Sequence, residues 1–232
     1  MRFHRLRRAA RRAAPLVLPA LAVGPAASAQ GADGRADTSA LEALYWARQD
    51  SARSHFTPAD VLFMDGMIGH HAQALIMSDL APQRGASPAV QTLAARIINA
   101  QRDEIETMQR WLRDRGQPVP EVHIDGLRLT IHGGHEGHGG HDGGHARMPG
   151  MLTDAQLQEL AAAEGAAFDR LFLAYMIQHH AGAVTMVDDL FATDGAAQDE
   201  AAFKLAADIH ADQTTEIARM QQMLDALPDP GP

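Results

Sequence analysis

Two stretches of the chain carry nearly the same set of soft, neutral metal donors. F-M-D-G-M-I-G-H-H-A-Q-A-L-I-M begins at Phe63, and F-L-A-Y-M-I-Q-H-H-A-G-A-V-T-M begins at Phe172, 109 residues later. Met67 matches Met176, His70 matches His179, His71 matches His180 and Met77 matches Met186. Thioether sulfur with imidazole nitrogen suits copper, above all Cu(I), and by the same softness Ag(I), whereas carboxylate-rich sites suit iron or manganese. Bundle di-iron enzymes place Glu-x-x-His on two helices. Here the residue three before His70 is Met67, and three before His179 is Met176.

Methionine at helical spacing commonly fills a core, and a lone histidine on an apolar face is commonly structural. Adjacent histidines repeated in both halves are harder to read that way, because each needs its ring nitrogens satisfied in the interior. At 100° per residue, Phe63, Met67, His70, Ala74 and Met77 form one stripe. His71 stands about 100° from His70, so one histidine of each pair faces the bundle axis and the other a helix–helix boundary, or both flank the axis. Met108 and Met220 lie on the partner helices. Glu104 and Glu216 are either outer partners orienting the imidazoles or solvated surface residues. His210 shares a stripe with Met220 and reads equally as an extra ligand or a structural histidine. Asp60 and Asp169 read as first-turn residues favoured by capping and the helix dipole, outside the site.

The elements that position these residues are helices. Residues from about 39 to 113 and from about 153 to 227 are rich in Ala, Leu, Gln and Met, a helical composition. Start signals are Ser39 with Glu42, Thr57-Pro58 with Asp60, Ser87-Pro88, and Thr153 with Gln156. Pro82, Gly116 with Pro118, and Pro228 are stops. The pattern predicts principal helices over 58–81, 88–114, 166–191 and 197–226, with shorter ones near 40–53 and 154–163. Gln101, Glu104, Ile105, Met108 and Leu112 answer to Gln213, Glu216, Ile217, Met220 and Leu224, so the chain is a tandem repeat of a helical hairpin. Two such hairpins closing on one core make an all-α four-helix bundle.

The expected organisation is an export signal over 1–29, an extension with a short helix over 30–54, a first hairpin over 55–116, an insert over 117–150 and a second hairpin over 151–227. The leader has Arg2, Arg5, Arg7, Arg8, Arg11 and Arg12, an apolar run from Pro15 to Val23 and Ala27-Ser28-Ala29. That run is too short for a stable membrane anchor, so the expectation is an exported, periplasmic or secreted protein. Without the leader, 14 basic side chains face 29 acidic ones, a formal charge of −15. Such a surface repels nucleic acid and attracts cations. The chain has no cysteine, which excludes disulfides, thiolate zinc sites and thiol catalysis.

In the insert, V-H-I-D-G-L-R-L-T-I-H alternates apolar and polar residues around a glycine and predicts a small β-hairpin. H-G-G-H-E-G-H-G-G-H-D-G-G-H follows. His132, His135, His138, His141 and His145 make it an auxiliary metal loop for Cu(II) or other divalent ions, or a solvated linker.

The pattern D-V-L-F-x-x-x-M-I-x-H-H-A-x-A, followed by S-P-x-V-x-x-L-A-x-x-I-x-x-A-Q-x-x-E-I-x-x-M-x-x-W-L, resembles the ferritin-like family known as domain of unknown function 305, which includes CopM-type copper-binding proteins. The likeness covers roughly residues 55–227 apart from part of the insert. It implies a ferritin-like four-helix bundle, exported to the periplasm and binding copper for homeostasis, resistance or metallochaperone work with other periplasmic copper-handling proteins. The ligands it implies are Met67, His70, His71, Met77, Met176, His179, His180 and Met186, then Met108, Met220, Met148 and Met151. Met148 and Met151, in M-P-G-M, rest on the resemblance alone. The His-Gly run departs from the family pattern. A ferritin-like oxidase and a bundle with no metal role are the competing readings, and the first lacks the Glu-x-x-His pattern.

Overall fold

The computed structural model describes residues 38–47, 55–134 and 148–228. A short helix, α1, covers residues 38–47 and is exposed along its length. Then come α2 (Pro58–Asp79), α3 (Pro88–Asp114), β1 (Glu121–Asp125), β2 (Arg128–His132), α4 (Asp154–Ala162), α5 (Gly165–Ala192) and α6 (Glu200–Asp225). The protein is mostly helical, with six helices and one two-stranded sheet among the described residues.

The helix starts follow the predicted signals. Thr57 and Asp60 close a capping box on α2, Thr153 and Gln156 close one on α4, and the Ser87 side chain caps α3 ahead of Pro88. The start of α6 falls three residues later than expected. Ala197 adopts a left-handed φ of 54°, and Asp199 takes the N-cap by accepting from Ala202 N. At the other end of the first hairpin, α2 stops at Asp79 rather than 81, where the chain turns ahead of Pro82.

The expected hairpin forms: β1 and β2 pair antiparallel from Glu121↔His132 to Asp125↔Arg128. Gly126, with φ 59°, occupies the first position of the two-residue turn, the place where a type II′ turn needs a positive φ.

Helices α2 and α3 pack as one hairpin and α5 and α6 as the other, while α2 also packs on α5 and only light contact joins α3 to α6. The small sheet rests on α2, and α4 on α5. α2 is therefore buried almost all round: from Phe63 to Ser78 only Asp65 and Gly66 are partly exposed. Its apolar stripe is one part of a wholly interior surface.

The two matched aspartates bind the hairpins to each other. Asp60 accepts from Ala197 N at 2.6 Å, ahead of α6, and Asp169 accepts from Ser87 N at 3.1 Å, at the start of α3. Each joins the first helix of one hairpin to the start of the second helix of the other.

Candidate metal centre

His70 on α2 and His179 on α5 meet where the two central helices pack. Their ring centroids are 3.9 Å apart with the planes tilted by 40°, and both are fully buried. The second histidine of each pair turns outward to its own hairpin partner. His71 Nε2 lies 2.7 Å from Glu104 Oε2 on α3, off the line of a well-formed hydrogen bond. His180 Nε2 pairs with Glu216 Oε2 on α6 at 2.8 Å. The 100° step between adjacent helical residues produces this division in both repeats, and it settles Glu104 and Glu216 as imidazole partners.

Three of the buried imidazoles are held neutral. Burial, followed by repulsion from His71, lowers His70 to about 3. Burial and then His70 hold His179 well below the usual value. His180 is also lowered, burial outweighing the opposing pull of Glu216. His70 Nε2 contacts the Pro149 carbonyl at 3.0 Å. Both ring nitrogens of His179, and Nδ1 of His70, His71 and His180, have no hydrogen-bond partner in the protein. Buried polar atoms are seldom left so, and a neutral imidazole with a free lone pair is the form that binds a metal.

Sulfur flanks this quartet on two sides. Met67 and Met108 are buried in one core cluster, with the partly buried Met186 packed against it. Met77, Met176 and Met220 are buried in the other. The clusters are exchanged by the internal repeat, since Met67, Met108 and Met186 correspond to Met176, Met220 and Met77. One helical stripe spans both clusters, and each motif's second methionine joins the first methionine of the other repeat.

The M-P-G-M segment forms a strap across the centre. Met148 is half-buried and Met151 is buried. Gly66 leaves room on α2 for the tips of Met148 and Met186, since a Cβ there would stand 3.3 Å from Met148 Sδ and 3.4 Å from Met186 Cε. At Gly182 a Cβ would fall 1.9 Å from the Pro149 carbonyl oxygen, so strap and α5 touch backbone to backbone. Gln73 fixes the following residue, its amide donating to Leu152 O at 3.0 Å and accepting from Leu152 N at 2.8 Å. Gln73 and Gly182 occupy matched positions of the repeat. Their difference was the available sign that a segment outside the repeat lies on this face, along with the Pro149 carbonyl that reaches His70. Met64, fully buried in the cluster of Met67, also escaped the motif comparison, because Leu173 stands at its matched position.

Two histidine readings change or fall outside. His210 is half-buried, its side chain 40% exposed and 3.5 Å from Asp188 on α5, apart from the fully buried histidines. His132 is exposed at the end of β2. His135, His138, His141 and His145 lie outside the described residues. Among the described residues, no three His, Asp or Glu side chains gather closely enough to hold a metal by themselves. Imidazole nitrogen and thioether sulfur, the donor types gathered in this part of the core, would suit a soft ion such as Cu(I) or Ag(I).

The family model described as Domain of unknown function (DUF305) matches residues 60–224, a span that holds both motifs, both hairpins and the strap. The chain belongs to the DUF305 family. Among solved structures, a DUF305 fragment from Deinococcus radiodurans is 31% identical, covering 74% of this chain and 99% of its own, with a TM-score of 0.58. A putative secreted DUF305 protein from Streptomyces coelicolor is 26% identical, covering 72% and 91%, with a TM-score of 0.57. CopM in its Cu(I)-bound form is 29% identical, covering 72% and 95%, with a TM-score of 0.51. CopM is also known in Cu(II)-bound and Ag-bound forms. No curated protein matches the chain significantly. Among the described residues, no helix is long and apolar enough to cross a membrane.

Proposed function

We propose that this DUF305 protein is an exported copper-binding protein that sequesters or ferries Cu(I) within a ferritin-like four-helix bundle. The observation that carries the reading is the quartet of buried histidines, with unpartnered ring nitrogens, between two repeat-related methionine trios. CopM's copper- and silver-bound forms support it. His70 and His179 are the central nitrogen donors, with Met67, Met108 and Met186 supplying sulfur on one side and Met176, Met220 and Met77 on the other. Met148 and Met151 cap the centre from the strap. His71 and His180, oriented by Glu104 and Glu216, add donors at its outer edge.

The arginine-rich leader and the secreted character of a relative support export. The His-Gly loop is an auxiliary collector for Cu(II) or another divalent ion, and periplasmic copper-handling proteins are the expected donors and acceptors. The site holds and releases metal without turning over a substrate.

Competitive Cu(I) titration tests this reading. The variant Met67→Leu, Met176→Leu, His70→Phe, His179→Phe is expected to fold and to lose at least about a hundred-fold in Cu(I) affinity, the upper end for disrupting a metal's surroundings. Equal Cu(I) binding by the folded variant contradicts the assignment. With excess Cu(I), oxygen uptake beyond one loading of the protein would instead identify an oxidase.

A further inference from the structure

Where α3 and α6 come near each other, a cleft of about 160 Å³ opens on the outer side of the His71–Glu104 and His180–Glu216 pairs. Its donors are oxygen. Glu104, Glu216 and Asp212 line it with Gln101 and Gln213, and Arg96 is the single cationic side chain on its wall. Gln101 and Glu104 stand three residues apart on α3, as do Gln213 and Glu216 on α6, so each helix presents an amide and a carboxylate on one face.

The amides point to a ligand independently of the acids. Gln101 is 1% exposed, and neither its Oε1 nor its Nε2 has a partner. Gln213 is 2% exposed, with Oε1 unpartnered. A buried amide oxygen without a partner loses its hydration with nothing in return, and here the repeat keeps two of them at one cleft.

We propose that this cleft is a second cation site, chemically separate from the methionine–histidine centre, which takes a divalent ion preferring oxygen donors through Glu104, Glu216, Asp212 and the amide oxygens of Gln101 and Gln213. Hard divalent ions choose carboxylate and carbonyl oxygen over sulfur. The carboxylates do not close into a tight cage, and the cleft has room for water. The ion therefore keeps part of its water shell, as Mg²⁺ and Mn²⁺ commonly do. The inference does not depend on copper at the inner centre.

Mn(II) titration of the purified chain, followed by the EPR signal of free Mn(II), tests the site with Ag(I) already bound. The expected result is one Mn(II) per chain, competed by Mg(II), with Ag(I) retained. Glu104→Gln with Glu216→Gln should weaken Mn(II) binding at least about ten-fold, and Met67→Leu with Met176→Leu should leave it unchanged. Should the double glutamine variant fail to fold, Asp212→Asn, at an exposed position, is expected to weaken Mn(II) several-fold. The absence of bound Mn(II), its displacement by Ag(I), or unaltered Mn(II) binding in the folded cleft variants would overturn the proposal. Failure of the unsubstituted protein to bind Cu(I), with its Mn(II) binding intact, would count against the inner centre alone.

Discussion

The central histidines are costly in the metal-free protein, and that cost has a pH signature. His70 is lowered to about 3, and His179 and His180 are lowered too, first by burial. Below about pH 6.5, imidazoles of the unfolded chain take up protons that the folded chain refuses. Protonation thus favours the unfolded state, and the metal-free protein loses stability as pH falls from about 6.5 towards 3. The slope reaches about 1.4 kcal/mol per pH unit for each fully titrating histidine. Urea denaturation of the metal-free protein at pH 7 and pH 5 is expected to give a clearly lower midpoint at pH 5, and equal midpoints would contradict the buried, neutral assignment. At this scale the donor types were legible, and helical geometry showed that the two histidines of a pair point about 100° apart; which of them meets its counterpart in the other repeat was not, since that depends on how α2 packs on α5. The exposure of His210 was not legible, since nothing in α6 itself tells which side of the stripe Asp188 of α5 will approach.

Among the elements, the strap and the α6 cap carry the sharpest consequences. Gly182→Ala would gain about 1 kcal/mol of helix propensity. Its Cβ, however, would stand 1.9 Å from a backbone oxygen, and overpacking against backbone costs about 1–3 kcal/mol or more. The second effect wins, so thermal melting should show a destabilised protein, with copper affinity lowered as Met148 and Pro149 leave the centre. Unchanged stability would mean that the strap does not rest on Gly182. At the start of α6, buried Asp199 accepts from Trp111 Nε1 at 3.0 Å and Ala202 N at 2.8 Å, and it pairs with Arg115. Burial alone would raise this carboxyl, but those partners hold it below its usual value. Asp199→Ala removes a cap and leaves Arg115 unpaired in a buried setting, an expected loss of about 3 kcal/mol measurable by urea denaturation. The caps at Thr57, Ser87 and Thr153 were legible because capping is written in three or four consecutive residues. The Asp199 cap is equally local, to Ala202 N, but helix composition from 197 onward hid it; its ties to Trp111 and Arg115 join residues more than 80 positions apart and had no local sign.

For the whole molecule, the repeat explains more than the duplicated ligands. Exchanging the hairpins exchanges Met67, Met108 and Met186 for Met176, Met220 and Met77, and it exchanges the Asp60 tie to Ala197 for the Asp169 tie to Ser87. The hairpins and their pairing were readable from self-similarity. The crossing of the sulfur sets was not, because it depends on how α2 packs on α5. Departures from the repeat fall beneath the strap, Gln73 against Gly182, and at the α3–α6 cleft, Ala100 against Asp212. X-ray absorption at the copper edge of the loaded protein addresses the central claim most directly, because it reports oxidation state and ligand type together. The expected spectrum is that of Cu(I) in a mixed shell of sulfur and imidazole nitrogen, with the sulfur contribution falling in Met67→Leu with Met176→Leu. A shell of nitrogen and oxygen alone, unchanged by those substitutions, would contradict the methionine–histidine centre.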